Sequence, residues 1–137
     1  MPGTYSLETE PEQTRQLLRL GERSLPSPEK IAEERRLYYG LAAYCDAQVG
    51  RLLRFLEARG LEENTLVLFT SDHGTDLYDH GFDDKHVYYD STWRVPFILR
   101  WPGAIPAGET RQFAHWNDIA PSLLAAAGLE FPHSQGF

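Results

Sequence analysis

With 137 residues the chain has room for one domain with a real core, and 42% hydrophobic against 24% charged residues argues against disorder as a whole. A net charge of −7 and a pI near 5.1 disfavour nucleic acid as a partner, because its footprint is a basic patch. No apolar stretch approaches the roughly 20 residues that cross a bilayer, the first residues carry no signal-peptide pattern, and the one cysteine, Cys45, can form neither an intrachain disulfide nor a zinc site by itself.

Residues 1–28 are polar, hold four prolines and read as a linker or irregular segment, with a short helix expected over residues 12–19. A long helix is predicted over residues 27–59. Ser27 can cap it, Pro28 suits its first turn, and Gly60 suits its stop. Leu37, Leu41, Cys45, Val49, Leu52 and Leu56 recur in steps of three or four and predict one apolar face, with Cys45 packed in it and Asp46 as a structural polar contact. The run Thr65-Leu66-Val67-Leu68-Phe69-Thr70 predicts a strand buried on both faces, as in a parallel sheet. Val95 to Trp101 predicts a second strand, ended by the Pro102-Gly103 turn, and residues 110–114 a third. A short helix then follows, capped by Asn117 or Asp118, running to Ala127 and stopped by Gly128. This order predicts an α/β layer with helices on a mostly parallel sheet.

Ligands of such sheets bind beyond the carboxyl ends of strands, and the long connection after Thr70 starts at one. It carries six aspartates between Asp72 and Asp90, three histidines (His73, His80, His86) and one lysine, Lys85. Carboxylates beside imidazoles can bind a divalent cation; the alternative is an ordinary solvated acidic loop. Adjacent residues of an extended chain point to opposite sides, so Asp72 and His73 can face one ion only if the backbone bends, and Gly74 can supply that bend. Arg94 is expected to anchor the loop through a carboxylate. Aromatic packing is expected of Tyr78, Tyr88, Tyr89 and Trp93, although they could line a sugar pocket.

Several short motifs in order now make the chain similar to a known family: Thr70-Ser71-Asp72-His73-Gly74, Asp79-His80-Gly81, Asp84-Lys85, then Arg94-Val95-Pro96 through Trp101-Pro102-Gly103. The helix adds Tyr38-Tyr39-Gly40-Leu41 and Cys45-Asp46 through Leu52-Leu53, and the end adds Asp118-Ile119-Ala120-Pro121-Ser122-Leu123-Leu124. Together they resemble the C-terminal part of the sulfatase catalytic domain, in the alkaline-phosphatase-like superfamily, nearest to choline-sulfatase-like or iduronate-sulfatase-like members. The resemblance implies a partial alkaline-phosphatase-like three-layer α/β sandwich over residues 29–137. It implies Asp72 and His73 as ligands of a divalent metal, Ca²⁺ first and Mn²⁺ or another ion as alternatives. It implies Lys85 as the cation that meets the sulfate group, with His86 as a further substrate contact. The implied partner is a small-molecule or carbohydrate sulfate ester, with neither nucleic acid nor membrane.

The family's nucleophile, a formylglycine made from Cys/Ser-x-Pro-x-Arg, has no match here: Ser24-Leu25-Pro26 lacks the arginine, and Cys45 lacks the proline. The chain is therefore expected to be a fragment that needs the N-terminal part of the domain, hydrolyses no sulfate ester alone, binds metal weakly and is poorly soluble or self-associates through exposed apolar faces. Alternatives are a phosphodiesterase or phosphonate monoester hydrolase of the same superfamily, or a non-catalytic metal-binding remnant.

Overall fold

The structure, a computed structural model, describes residues 12, 15–16, 25–81, 83–85 and 87–130. Two compact units divide the chain, residues 1–102 and 103–137. Of the helix expected over residues 12–19, Glu12, Arg15 and Gln16 are helical and the remainder lies outside the described residues.

The first unit is built on helix α1, Pro28–Ala58. The Ser27 hydroxyl accepts the Lys30 N–H at 3.3 Å, Pro28 occupies the first turn, and Glu29 adds a negative charge near the helix N-terminus. At the other end Gly60 adopts φ +63°. Its N–H reaches Glu57 O and the Leu61 N–H reaches Leu56 O, both at 2.9 Å. This paired closure satisfies carbonyls that the helix leaves open and needs a left-handed residue, hence glycine. The expected apolar face is present in pattern but not in burial. Leu56 is the one buried residue of α1, while Leu37, Leu41 and Leu52 are more than half exposed, and Cys45 and Asp46 are exposed. Among the described residues no element packs over the middle of the helix, so the periodicity marks a face without a cover.

A 3₁₀ turn, Glu62–Asn64, leads into strand β1, Val67–Thr70. Residues 71–96 intervene, including a four-residue helix α2, Asp90–Trp93, before strand β2, Phe97–Arg100. The strands pair antiparallel, with Val67 opposite Arg100 and Thr70 opposite Phe97. The sequence suggested parallel neighbours, but a parallel pair needs a crossover element. Among the described residues the one regular element between these strands is a single helical turn, and the chain returns on the side from which it left. Arg100 reaches Glu62 at 2.8 Å and the Trp101 indole donates to Glu63 O at 3.1 Å, tying the end of β2 to the turn before β1.

In the second unit the residues expected to form a third strand, 110–114, have no strand structure. Helix α3, Trp116–Ala126, is capped by His115, two or three residues before the expected Asn117 or Asp118. His115 Nδ1 accepts the Asn117 N–H at 3.2 Å, and Asp118 returns the favour by accepting the His115 N–H at 2.7 Å. Its end repeats the closure of α1, with Gly128 at φ +73°. None of the described helices is long and apolar enough to cross a membrane.

Candidate metal and anion site

Because β1 and β2 are antiparallel, residues 71–96 leave and rejoin the sheet at one edge. The site lies at the start of this excursion. The Ser71 hydroxyl donates to His73 O at 2.8 Å, and Asp72 Oδ1 accepts the His73 N–H at 3.0 Å. These two local bonds bend the backbone and bring neighbouring side chains to one side: Asp72 Oδ2 lies 3.4 Å from His73 Nε2. The Asp72 carboxyl is held below its ordinary pKa, chiefly by the His73 N–H and secondarily by the positive charge of nearby Lys85.

Gly74 serves the bend by a different route from the one its flexibility suggests. Its N–H donates to Thr92 O at 2.7 Å, and a Cβ here would stand 1.9 Å from Ser91 O. Glycine is required because the backbone of α2 passes against it.

His73 has a defined tautomer. Nδ1 lies 2.7 Å from Gly74 O, an atom that can only accept, so Nδ1 carries the proton. Nε2 then presents its lone pair, and the Lys85 ammonium donates to it at 2.8 Å. The strand end and the lysine thus meet in space. The lysine's segment is held by Thr75 Oγ1 donating to Asp83 O at 3.2 Å and by the Asp76 N–H donating to Asp84 O at 3.2 Å. His86, the other expected substrate contact, lies outside the described residues.

Three features of the loop escape local sequence reading. Asp76 is fully buried and accepts from the His80 N–H, from His80 Nδ1 and from the Ser91 hydroxyl, at 2.8, 2.6 and 2.7 Å. The His80 ring stacks on Tyr89 with centroids 3.7 Å apart. The anchoring role expected of Arg94 belongs instead to Arg35 on α1. Arg35 binds Leu77 O at 2.8 Å and Asp79 at 2.7 Å, while Arg94 lies 3.8 Å from Asp90 with both side chains more than four-fifths exposed. Next to Arg35, Glu34 accepts from Tyr78 OH at 2.5 Å. That bond first, with burial and the Asp83 and Glu34 charges adding to it, pushes the pKa of the Tyr78 phenol up to about 12. These contacts hold Leu77 and Tyr78 in the left-handed region, at φ 47° and 69°, where non-glycine residues are disfavoured.

The donor set suits a cation. One carboxylate oxygen and one imidazole lone pair lie side by side, and the lysine ammonium already stands against the nitrogen as a positive group. Among the described residues no three His, Cys, Asp or Glu side chains gather at one point. Two donors alone fall short of the six to eight ligands that an ion such as Ca²⁺ takes.

The sulfatase family model matches residues 2–129. An N-acetylglucosamine-6-O-sulfatase of Bacteroides thetaiotaomicron is 40% identical over 104 residues, which is 75% of this chain and 19% of that protein. Iduronate 2-sulfatase of Mus musculus is 36% identical over 101 residues, 71% of this chain and 18% of that protein. A solved structure in complex with its substrate D-glucosamine-2-N,6-O-disulfate superposes with a TM-score of 0.68 at 35% identity, covering 88% of this chain and 25% of that one. The chain spans about a fifth of the length of the curated relatives it matches. Its fold is a part of the α/β alkaline-phosphatase-like architecture, with a small antiparallel sheet. The chain belongs to the sulfatase family, whose members generally depend on a divalent metal.

Proposed function

We propose that residues 29–137 are the part of a metal-dependent sulfate-ester hydrolase that supplies two metal ligands, Asp72 and His73, and the sulfate-facing cation, Lys85. Residues 1–28 then act as a connecting segment. The observation that carries this reading is the meeting of Lys85 Nζ with His73 Nε2 at 2.8 Å, beside the Asp72 carboxylate. Two neighbouring groups, a carboxylate and an imidazole, and a lysine twelve residues beyond the imidazole meet at a strand end.

A bound divalent ion, Ca²⁺ in the first instance and Mn²⁺ or another as alternatives, supplies positive charge against substrate oxygens. The chain's own residues do the rest. The Gly74 carbonyl fixes the His73 tautomer so that Nε2 stays available for an ion. Lys85, turned from Nε2 to the substrate, places an ammonium against oxygens on which charge develops. His86 is a second substrate contact in this reading. The substrate is a small-molecule or carbohydrate sulfate ester; the names of the relatives and the bound sugar of the solved structure support a carbohydrate. The nucleophile and the remaining ligands come from the N-terminal part of such a domain.

The test is an NMR titration of this chain with Mn²⁺. Selective broadening of Asp72 and His73, weak in affinity and abolished in D72N, is the expected result. Broadening spread over all the loop's carboxylates would remove the reading. A second reading, phosphate-ester or phosphonate hydrolysis, is favoured by 33% identity over 107 residues to a multifunctional alkaline phosphatase superfamily protein of Trinickia caryophylli. The coding sequence upstream of Met1 separates the two. Cys/Ser-x-Pro-x-Arg supports the sulfatase, and a serine or threonine acceptor supports the phosphoryl enzyme.

A further inference from the structure

Lys85 is exposed and His73 half-buried, so burial does not hold their side chains together. A lysine stem loses up to about 2 kcal/mol of rotamer entropy when fixed, so a defined contact requires that the backbone beneath it be set in place. The group that sets it is Asp76. Carboxylates are rarely buried unless their oxygens are saturated, and this one is 0% exposed with three donors upon it. Those donors and its own N–H reach three stretches of the loop: the turn at His80, Ser91 on α2, and Asp84, the residue before Lys85. Ser91 in turn precedes Thr92, whose carbonyl holds Gly74, the residue after His73. Both partners of the lysine–histidine contact are therefore one residue removed from a segment that Asp76 ties down. His80 is itself fixed by its stack on Tyr89, which makes it a rigid latch on the carboxylate.

We propose that Asp76, latched by His80 and Ser91, is a positioning residue that sets Lys85 against His73. This rests on the reading of Lys85 and Asp72-His73 given above, but it concerns the arrangement of the loop and not the ion. Asp76 touches no reacting group. It acts through the backbone of residues 83–85 and of α2.

The experiment uses the whole 137-residue chain, labelled with ¹⁵N, and reads the His73 Nε2 shift and the solvent exchange of the Lys85 ammonium. H80F keeps a ring for Tyr89 and removes the Nδ1 donor. H80N returns an amide donor close to that position. S91A removes the third donor with little change in volume. The expected result is loss of the lysine-bound Nε2 signature and faster ammonium exchange in H80F and S91A, with recovery in H80N, while α1 helicity by circular dichroism is unchanged. A wild-type signature in both H80F and S91A would overturn the proposal, as would its absence from the wild-type chain. Mn²⁺ broadening separates the two ideas. If Mn²⁺ fails to act on wild-type His73 while the signature still collapses in H80F, the metal reading falls and the positioning role stands. If Mn²⁺ broadens His73 and the signature survives both substitutions, the metal reading stands and the positioning role falls.

Discussion

The loop between the strands and helix α1 divide order between them in an unusual way. Of the four buried residues among those described, Asp76, Val87 and Thr92 belong to the loop, and α1 contributes Leu56 alone. The helix owes its regularity to local bonds and end closures, and its apolar residues face outwards. The loop has almost no regular structure and is packed by polar side chains reaching across the chain. The difference teaches that burial and polar cross-links concentrate in the loop that holds the candidate site, while the regular elements leave apolar surface exposed. A chain spanning a fifth of its relatives' length is expected to leave such surfaces.

Substitutions can break this contrast from either side. The largest effect is expected from G74A. The new Cβ would overlap Ser91 O, so α2 must move away from the strand end, at a cost of about 3 kcal/mol to loop order. Amide exchange over residues 71–94 should rise sharply, while the helical signal of α1 holds. Y78F comes next and removes the phenol–Glu34 bond, lowering stability by about 1.5 kcal/mol in chemical denaturation. The same bond gives a pH signature. The folded phenol titrates near 12 against an ordinary value of 10, so its contribution is complete below pH 10 and is lost as pH rises through about 12. Y78F should show no such loss. On the helix side, S27A removes the cap and should cost about 1 kcal/mol, visible as fraying of the first turn of α1 and little change in the loop. The smallest effect belongs to R94A. Its ion pair with Asp90 is long and exposed, so the change should stay within about 0.5 kcal/mol.

What the sequence made legible follows the same division. Ser27-Pro28-Glu29 and Gly60 mark the ends of α1 because capping is a local affair. Helix α3 is displaced at its start because Asp118 resembles a cap but acts as the third-residue partner of His115. The strands are visible as apolar runs, yet a run of that kind speaks of burial and says nothing of direction. Here the direction is antiparallel, and three of the four β2 residues are exposed. Within the loop, the chemistry of Asp72, His73 and Lys85 stands out by residue type and order. Their convergence depends on Asp76, and the turn at Leu77-Tyr78 depends on Glu34 and Arg35, contacts 42 to 44 residues apart along the chain. No local pattern carries that information. Glycine 74 is the intermediate case: its importance is legible, but the reason, a passing backbone, is not.

The bond from the Gly74 N–H to Thr92 O has a kinetic consequence. It pins the residue after His73 to the far side of the loop, so α2 can leave the strand end only when this amide is released together with the Ser91 bond to Asp76. Its hydrogen-exchange rate is therefore a clock for the site, counting each opening of the ring that residues 74 and 92 close.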